Sequence, residues 1–194
     1  MTEGYFHERG LEAGASSEGR RPPKKGGGLV EFAIIVLIAF ALVFGLVRPF
    51  VVEAFYIPSE SMVPTLEVGD RVFVNKFVYR FSQPKRGDVV VFGSTEGEQE
   101  DLIKRVVGVP GDEVAVFDGA LYVNGERWEE PYLNRDLPDT SYYAPTTVPE
   151  GKVFVMGDNR ANSRDSRFFG PLPIDNIEGE AFVIFWPPTH IGLL

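Results

Sequence analysis

Hydrophobic and polar positions divide this 194-residue chain into three stretches of unlike pattern. Residues 29–47, LVEFAIIVLIAFALVFGLV, form a nineteen-residue apolar run with one charge, Glu31, near its start. As a helix it would extend roughly 28 Å, close to the thickness of a bilayer's hydrocarbon. A helix in a soluble core would show a polar stripe, and none follows Glu31. A cleaved signal peptide would have a shorter apolar core and a small-residue cleavage site, whereas Arg48, Pro49 and Phe50 follow this run directly. The pattern therefore predicts a transmembrane helix over 29–47. Residues 1–28, rich in Gly, Glu and Arg and without periodic hydrophobicity, predict a disordered tail.

From residue 48 to the end the period changes. Short runs rich in Val and Phe, at 71–79, 88–92, 102–109, 113–117, 120–123, 152–156 and 181–185, alternate with turn residues and predict strands. Asp118-Gly119 and Asn124-Gly125 are signals for tight hairpin turns, which need positive φ. No helical pattern of useful length follows Val47, and 129–151, with four prolines, reads as an extended surface excursion. The expected class is mainly β: an antiparallel β domain over 48–194 behind one N-terminal transmembrane helix.

Charge orients and excludes. Arg20, Arg21, Lys24 and Lys25 precede the span and only Arg48 flanks its other end, so the positive-inside bias predicts a cytoplasmic tail and a β domain outside the cell membrane. A net charge of -9 and a pI near 4.8 argue against nonspecific nucleic-acid binding, which needs a positive surface. The absence of cysteine removes thiol catalysis, disulfides and thiolate metal sites. The two histidines, His7 in the tail and His190 near the end, have no obvious place in a core. Any acid–base chemistry is then expected to use another base.

Three polar stretches carry candidate chemistry. In IPSESMVPTL, residues 57–66, Ser61 lies just before a Val63-Pro64 pair whose proline restricts both backbones; the stretch is either a stiff frame for a hydroxyl or a polar turn into the first strand. A serine needs a base, and a lysine can serve once burial lowers its pKa toward 7 to 8, at about 3.5 to 4 kcal/mol of disfavoured charge. Lys104 in DLIKRVVGVP suits this, since Leu102, Lys104 and Val106 share one face of a strand; the alternative is a stem lying on the sheet with its head in water. Arg105, on the opposite face, could pair with Asp158 or Asp165. Those aspartates lie in GDNRANSRDSRFFG, residues 157–170, which reads either as a network of turns and solvated ion pairs or as a scaffold behind the lysine. Ser82-Gln83-Pro84-Lys85 spells S-x-x-K, but proline and glycine surround it where that motif opens a helix, and it is set aside.

Taken in order behind one span, PSESMVPTL, RGDVVVF (86–92), KRVVGVPGD (104–112) and GDNRANSRDSRFFG resemble the bacterial type I signal peptidases, membrane-bound serine-lysine proteases. The resemblance covers roughly residues 29–187. It implies Ser61 as nucleophile and Lys104 as general base, with an oxyanion hole from the Ser61 N–H and the Ser59 hydroxyl, and it calls for no metal and no organic cofactor. It further implies Ser163 orienting Lys104, and Arg105, Asp158, Asp165 and Arg167 as supporting ion pairs. The implied partners are the signal peptides of exported preproteins, with small residues at the first and third positions before the cut, and the lipid bilayer. The peptide would add as a strand along 55–57 and along the segment before Lys104. Phe55, Ile57, Met62, Leu66, Val91 and Ile103 match positions lining the pockets, although strict alternation sends Ile103 away from the face of Lys104. Glu60, where the family often has a small residue, is expected to face solvent. Phe50, Phe55, Phe77, Tyr79 and Phe81 are candidates for the lipid surface or for ordinary core. Two other readings are a self-cleaving repressor, which shares fold and dyad but lacks a span, and a tethered β module that binds without catalysis.

Overall fold

The computed structural model describes residues 28–47, 51–93, 100–134 and 139–194. His7, Arg48, Phe50 and all but the last residue of the 1–28 segment lie outside the described residues.

Helix α1, Gly28–Leu42, runs into a wider turn at Val43–Val47. Apart from Glu31 in its first turn, its side chains are apolar on every side, and none is buried by protein. Residues Gly28–Gly45 are long and apolar enough to cross a membrane. A helix of this length and composition at the N-terminus suits a membrane anchor.

The remaining described residues form two antiparallel sheets. The larger takes the order β1 (Val52–Tyr56), β2 (Arg71–Asn75), β11 (Ile177–Trp186), β3 (Val89–Gly93), β4 (Asp101–Gly108), β9 (Lys152–Met156) and β10 (Leu172–Pro173), with β12 (Gly192–Leu193) also on β11. The smaller has the order β7 (Glu126–Arg127), β6 (Ala120–Val123), β5 (Glu113–Phe117) and β8 (Tyr143–Thr147), and it is inserted between β4 and β9. Both predicted hairpin turns form, with positive φ at Asp118 and Gly119 and at Asn124 and Gly125.

The continuous apolar runs have a simple cause, which is burial on both faces. Val89 and Val91 of β3 join a cluster with Ile57, Met62 and Leu66, while Val90 and Phe92 point into a second cluster with Val106 and Val155. In β9, Val153 and Val155 belong to that second cluster, whereas Phe154 and Met156 pack against the small sheet through Val114, Leu121 and Val148. A strand of period two thus contributes to two cores at once.

Some strand boundaries differ from the sequence pattern. The run expected over 71–79 stops at Asn75, because the Asn75 side-chain oxygen accepts from the N–H groups of Phe77 and Val78 at 3.0 and 3.2 Å and turns the chain. The 129–151 segment contains β8, paired with β5, so part of it belongs to the small sheet. β1 was also unforeseen; it pairs with β2 from Val52↔Asn75 to Tyr56↔Arg71.

Gly179 of β11 sits where the β3–β11 register shifts, and a Cβ there would lie 2.5 Å from the Asn75 carbonyl oxygen. Gly179→Ala is expected to lower the stability of the detergent-solubilised chain by about 1–3 kcal/mol, seen as a lower denaturant midpoint at unchanged m-value. An unchanged midpoint would contradict this packing.

Candidate active site

The loop from 57 to 70 is closed at its base by two backbone bonds, Ile57 N–H to the Asp70 carbonyl at 2.9 Å and Gly69 N–H to the Ile57 carbonyl at 3.0 Å. Ile57, Met62 and Leu66, all but fully buried, fix it to the core of the large sheet. The stiffness expected from Pro64 is thus joined by three apolar anchors spaced along the loop. Ser61 is held between them and is buried, while Glu60 beside it is exposed.

Lys104 reaches this loop from β4, 43 residues away in sequence. Its Nζ lies 2.7 Å from Ser61 Oγ and donates to its own neighbour's carbonyl, Ile103 O, at 2.8 Å. Strict alternation suggested that Ile103 and Lys104 would serve different faces. Ile103 does pack in the cluster of Ile57 and Met62, but the lysine curls back over its preceding peptide and reaches the same region. Only 2% of Lys104 is accessible, and burial lowers its pKa to about 8, against the opposing pull of the Asp165 and Asp158 carboxylates. Ser59 Oγ lies 3.3 Å from Ser61 Oγ.

Behind the pair stands the turn at 157–160. Asn159 donates its backbone N–H to the Ser61 carbonyl at 3.0 Å and its side-chain amide to the Glu60 carbonyl at 3.1 Å. Of the two partners open to Arg105, the structure selects Asp158, with Nη2 to Oδ2 at 2.7 Å and Nε to Oδ1 at 3.0 Å. Asp158 also accepts from Thr65 Oγ1 at 2.5 Å, tying the turn to the Ser61 loop a second time. Asp165 is fully buried; it takes both Nε and Nη2 of Arg167, at 2.8 and 2.9 Å, and the Gly157 N–H at 3.0 Å. Gly157 has no room for a side chain: a Cβ there would press on Ser163 and on the Ser61 carbonyl. Ser163 therefore lies across Gly157 from the Ser61 main chain, and among the described residues its solvent-shielded Oγ has no hydrogen-bond partner, so it is not bonded to Lys104 in this structure.

A groove of about 270 Å³ runs between residues 55–58 and 100–103, lined by Phe55, Ile57, Val91 and Ile103 among others. Met62 and Leu66 are fully buried in the cluster beneath rather than on its open face. Among the described residues β1 pairs only with β2, and β4 pairs with β9 only from Arg105 onward. Two strand edges with unmatched backbone groups therefore border this groove. Thr65, Asn159, Arg160, Glu130 and Tyr132 belong to the surroundings of the site and were not singled out in the sequence. The first three lie inside or beside the polar stretches and could have been found there, whereas Glu130 and Tyr132 carry no local signal.

The profile of the family described as signal peptidase, peptidase S26, matches residues 29–186. The chain belongs to this family. Among its relatives, the probable signal peptidase I-2 of Synechocystis sp. is 40% identical over 199 residues, covering 100% of this chain and 86% of that one. The signal peptidase I of Leptolyngbya laminosa is 44% identical over 179 residues, covering 89% and 87%. The signal peptidase IB of Staphylococcus aureus is 40% identical over 176 residues, covering 82% and 90%. As a member of the S26 family the chain is a peptidase, and its mainly β fold and N-terminal apolar helix accord with the expectations drawn from the motifs.

Burial of Lys104 also couples the site to stability. The unfolded chain keeps the lysine proton up to the ordinary range near 10.5, while the folded chain releases it near 8. Unfolding then takes up a proton between those values, so the contribution of Lys104 to stability should rise as pH increases from about 8 to about 10.5. Denaturant unfolding across that range should show a rise that Lys104→Met lacks; parallel pH profiles would refute the burial.

Proposed function

We propose that this chain is a membrane-anchored serine endopeptidase that removes signal peptides from exported preproteins, with Ser61 as nucleophile and Lys104 as general base. The carrying observation is the 2.7 Å contact between Lys104 Nζ and Ser61 Oγ in a setting that lowers the lysine pKa to about 8. A neutral amine has two hydrogens and one lone pair. With one hydrogen engaged by Ile103 O, the lone pair can turn to the serine hydroxyl.

The reaction follows. As Ser61 Oγ attacks the scissile carbonyl carbon, its proton passes to Lys104 Nζ, and the new oxyanion accepts from the Ser61 N–H and the Ser59 hydroxyl. Collapse breaks the C–N bond, Lys104 returns the proton to the departing amine, and the signal peptide stays as an ester on Ser61. Water, deprotonated by the same lysine, then attacks the ester and frees the enzyme. Ser163 makes no hydrogen bond to Lys104 in the free chain; its shielded, unengaged oxygen is left to orient the lysine as the amine changes charge. Arg105 with Asp158 and Arg167 with Asp165 act as supporting pairs.

Substrate binding uses the groove. An extended segment lying between the two free edges pairs by its backbone, leaving alternate side chains to meet Phe55, Ile57, Val91 and Ile103. Anchor orientation follows from the basic residues before the span, which put the tail in the cytoplasm and the β domain on the outer side of the bacterial cytoplasmic membrane. Phe81, 79% exposed and stacked edge-on against Phe77, offers an aromatic surface for lipid. Tyr79 is half-buried with its hydroxyl on Asp88, and Phe55 packs against the core.

Cleavage of a preprotein by detergent-solubilised protein tests this reading. Ser61→Ala and Lys104→Ala should each lower kcat/KM by about 10³-fold or more, and Ser59→Ala by about 10²-fold. Ser82→Ala should leave it unchanged. Activity should rise with pH through about 8 as Lys104 loses its proton. Sustained processing by folded Lys104→Ala protein would sink the assignment.

A further inference from the structure

Behind the site, at the start of the 129–151 segment, two residues touch two of the scaffold's arginines, Glu130 on Arg160 and Tyr132 on Arg105. The Glu130 carboxylate forms a two-pronged pair with Arg160: Nη1 donates to Oε2 at 3.0 Å, and Nη2 bonds Oε1. Both side chains are almost wholly buried, at 6% and 3% exposure. The Tyr132 hydroxyl donates to the same carboxylate at 2.7 Å. The Tyr132 ring lies against the Arg105 guanidinium, whose carbon is 4.1 Å from the ring centroid. Burial and the adjacent Glu130 charge push the phenol pKa up, so the hydroxyl remains a donor.

Each arginine leads directly to one half of the reacting pair. Arg160 donates from Nε to the Gly157 carbonyl at 2.9 Å and follows Asn159, whose N–H holds the Ser61 carbonyl. Its own carbonyl accepts from Arg167 Nη2 at 2.7 Å. Arg105 is the strand neighbour of Lys104 and pairs with Asp158, which in turn holds Thr65 of the Ser61 loop. We infer that Glu130 and Tyr132 are positioning residues that, by gripping Arg160 and Arg105 together, set the placement of Ser61 against Lys104.

The inference rests on the Ser61–Lys104 assignment. It gives a function to part of the small-sheet insertion, which otherwise lies apart from the chemistry. A buried guanidinium without its carboxylate keeps only its bond to the Gly157 carbonyl and feels the Asp158 charge, two groups of the turn that holds the Ser61 loop. Loss of the Glu130 charge also leaves the surroundings more positive. The charges acting on Lys104 are the Asp165 and Asp158 carboxylates, and an Arg160 freed from Glu130 and drawn toward Asp158 weakens the pull that favours the lysine cation.

The test uses the full chain in detergent with a preprotein substrate, rates being normalised to the folded fraction by circular dichroism. Glu130→Gln should lower kcat by about 30-fold with KM within about twofold, and it should move the acid limb of the pH profile to lower pH. Tyr132→Phe, which loses only the hydroxyl, should lower kcat by about fivefold. A kcat per folded molecule within about twofold of the parent for Glu130→Gln, or a fall that leaves the acid limb in place, would overturn the inference. Should Glu130→Gln not fold, Tyr132→Phe decides: a loss supports the inference and an unchanged kcat overturns it. Ser61→Ala and Lys104→Ala are run alongside. Residual cleavage by either points to failure of the dyad assignment, whereas their inactivity beside a parent-like Glu130→Gln defeats this inference alone.

Discussion

One buried contact, between an amine and a hydroxyl, sets the terms for everything around it. Lys104 is 2% accessible, and taking its charge out of water is unfavourable enough to draw its pKa down by itself. Two carboxylates nearby, Asp158 and Asp165, pull the other way. Each is bound to a guanidinium, Arg105 or Arg167, so neither stands as a bare charge facing the lysine. The ion pairs are thus less a source of stability, which buried pairs rarely supply, than a way to build a hydrogen-bonded scaffold without driving the amine back to its charged form.

The sheet architecture delivers the two partners from distant parts of the chain. β3 and β9 bury both faces, so the large sheet is gripped from two sides and β4 within it has little freedom to shift. β4 is then used in two halves. Beyond Arg105 it pairs with β9 and leads into the small sheet; before Arg105 its outer edge is open beside the groove. Lys104 stands at the boundary. The same strand has an unpaired edge on one side of that boundary and an anchored core on the other.

Much of this was legible in the sequence because the residues concerned violate local expectation. Lys104 between Leu102 and Val106 and Ser61 ahead of a proline are polar groups in settings that do not solvate them, and both are found buried and in contact. The 157–170 cluster announced a network, and the structure resolves its pairing: Arg105 with Asp158, Arg167 with Asp165. Other features leave weaker traces. β1 reads VEAFY with a charge inside it and is only half covered, and β8 reads YAPTT with a proline, so neither shows the alternation of a strand buried on one face. Asn75 ends β2 through its side chain, which apolar content alone does not reveal. Glu130 and Tyr132 are the clearest omission. An acid and a tyrosine in a proline-rich stretch look like surface, and only the tertiary fold places them on Arg160 and Arg105.

Gly157 carries a consequence beyond fitting a tight turn. With only a hydrogen where other residues have a side chain, the turn behind the site and the Ser61 loop meet main chain to main chain. The separation of the turn from the main chain that carries the Ser61 hydroxyl is therefore gauged by the radii of backbone atoms. A frame of this kind takes its spacing from main chain alone, with no side chain between turn and loop that could repack and shift one against the other.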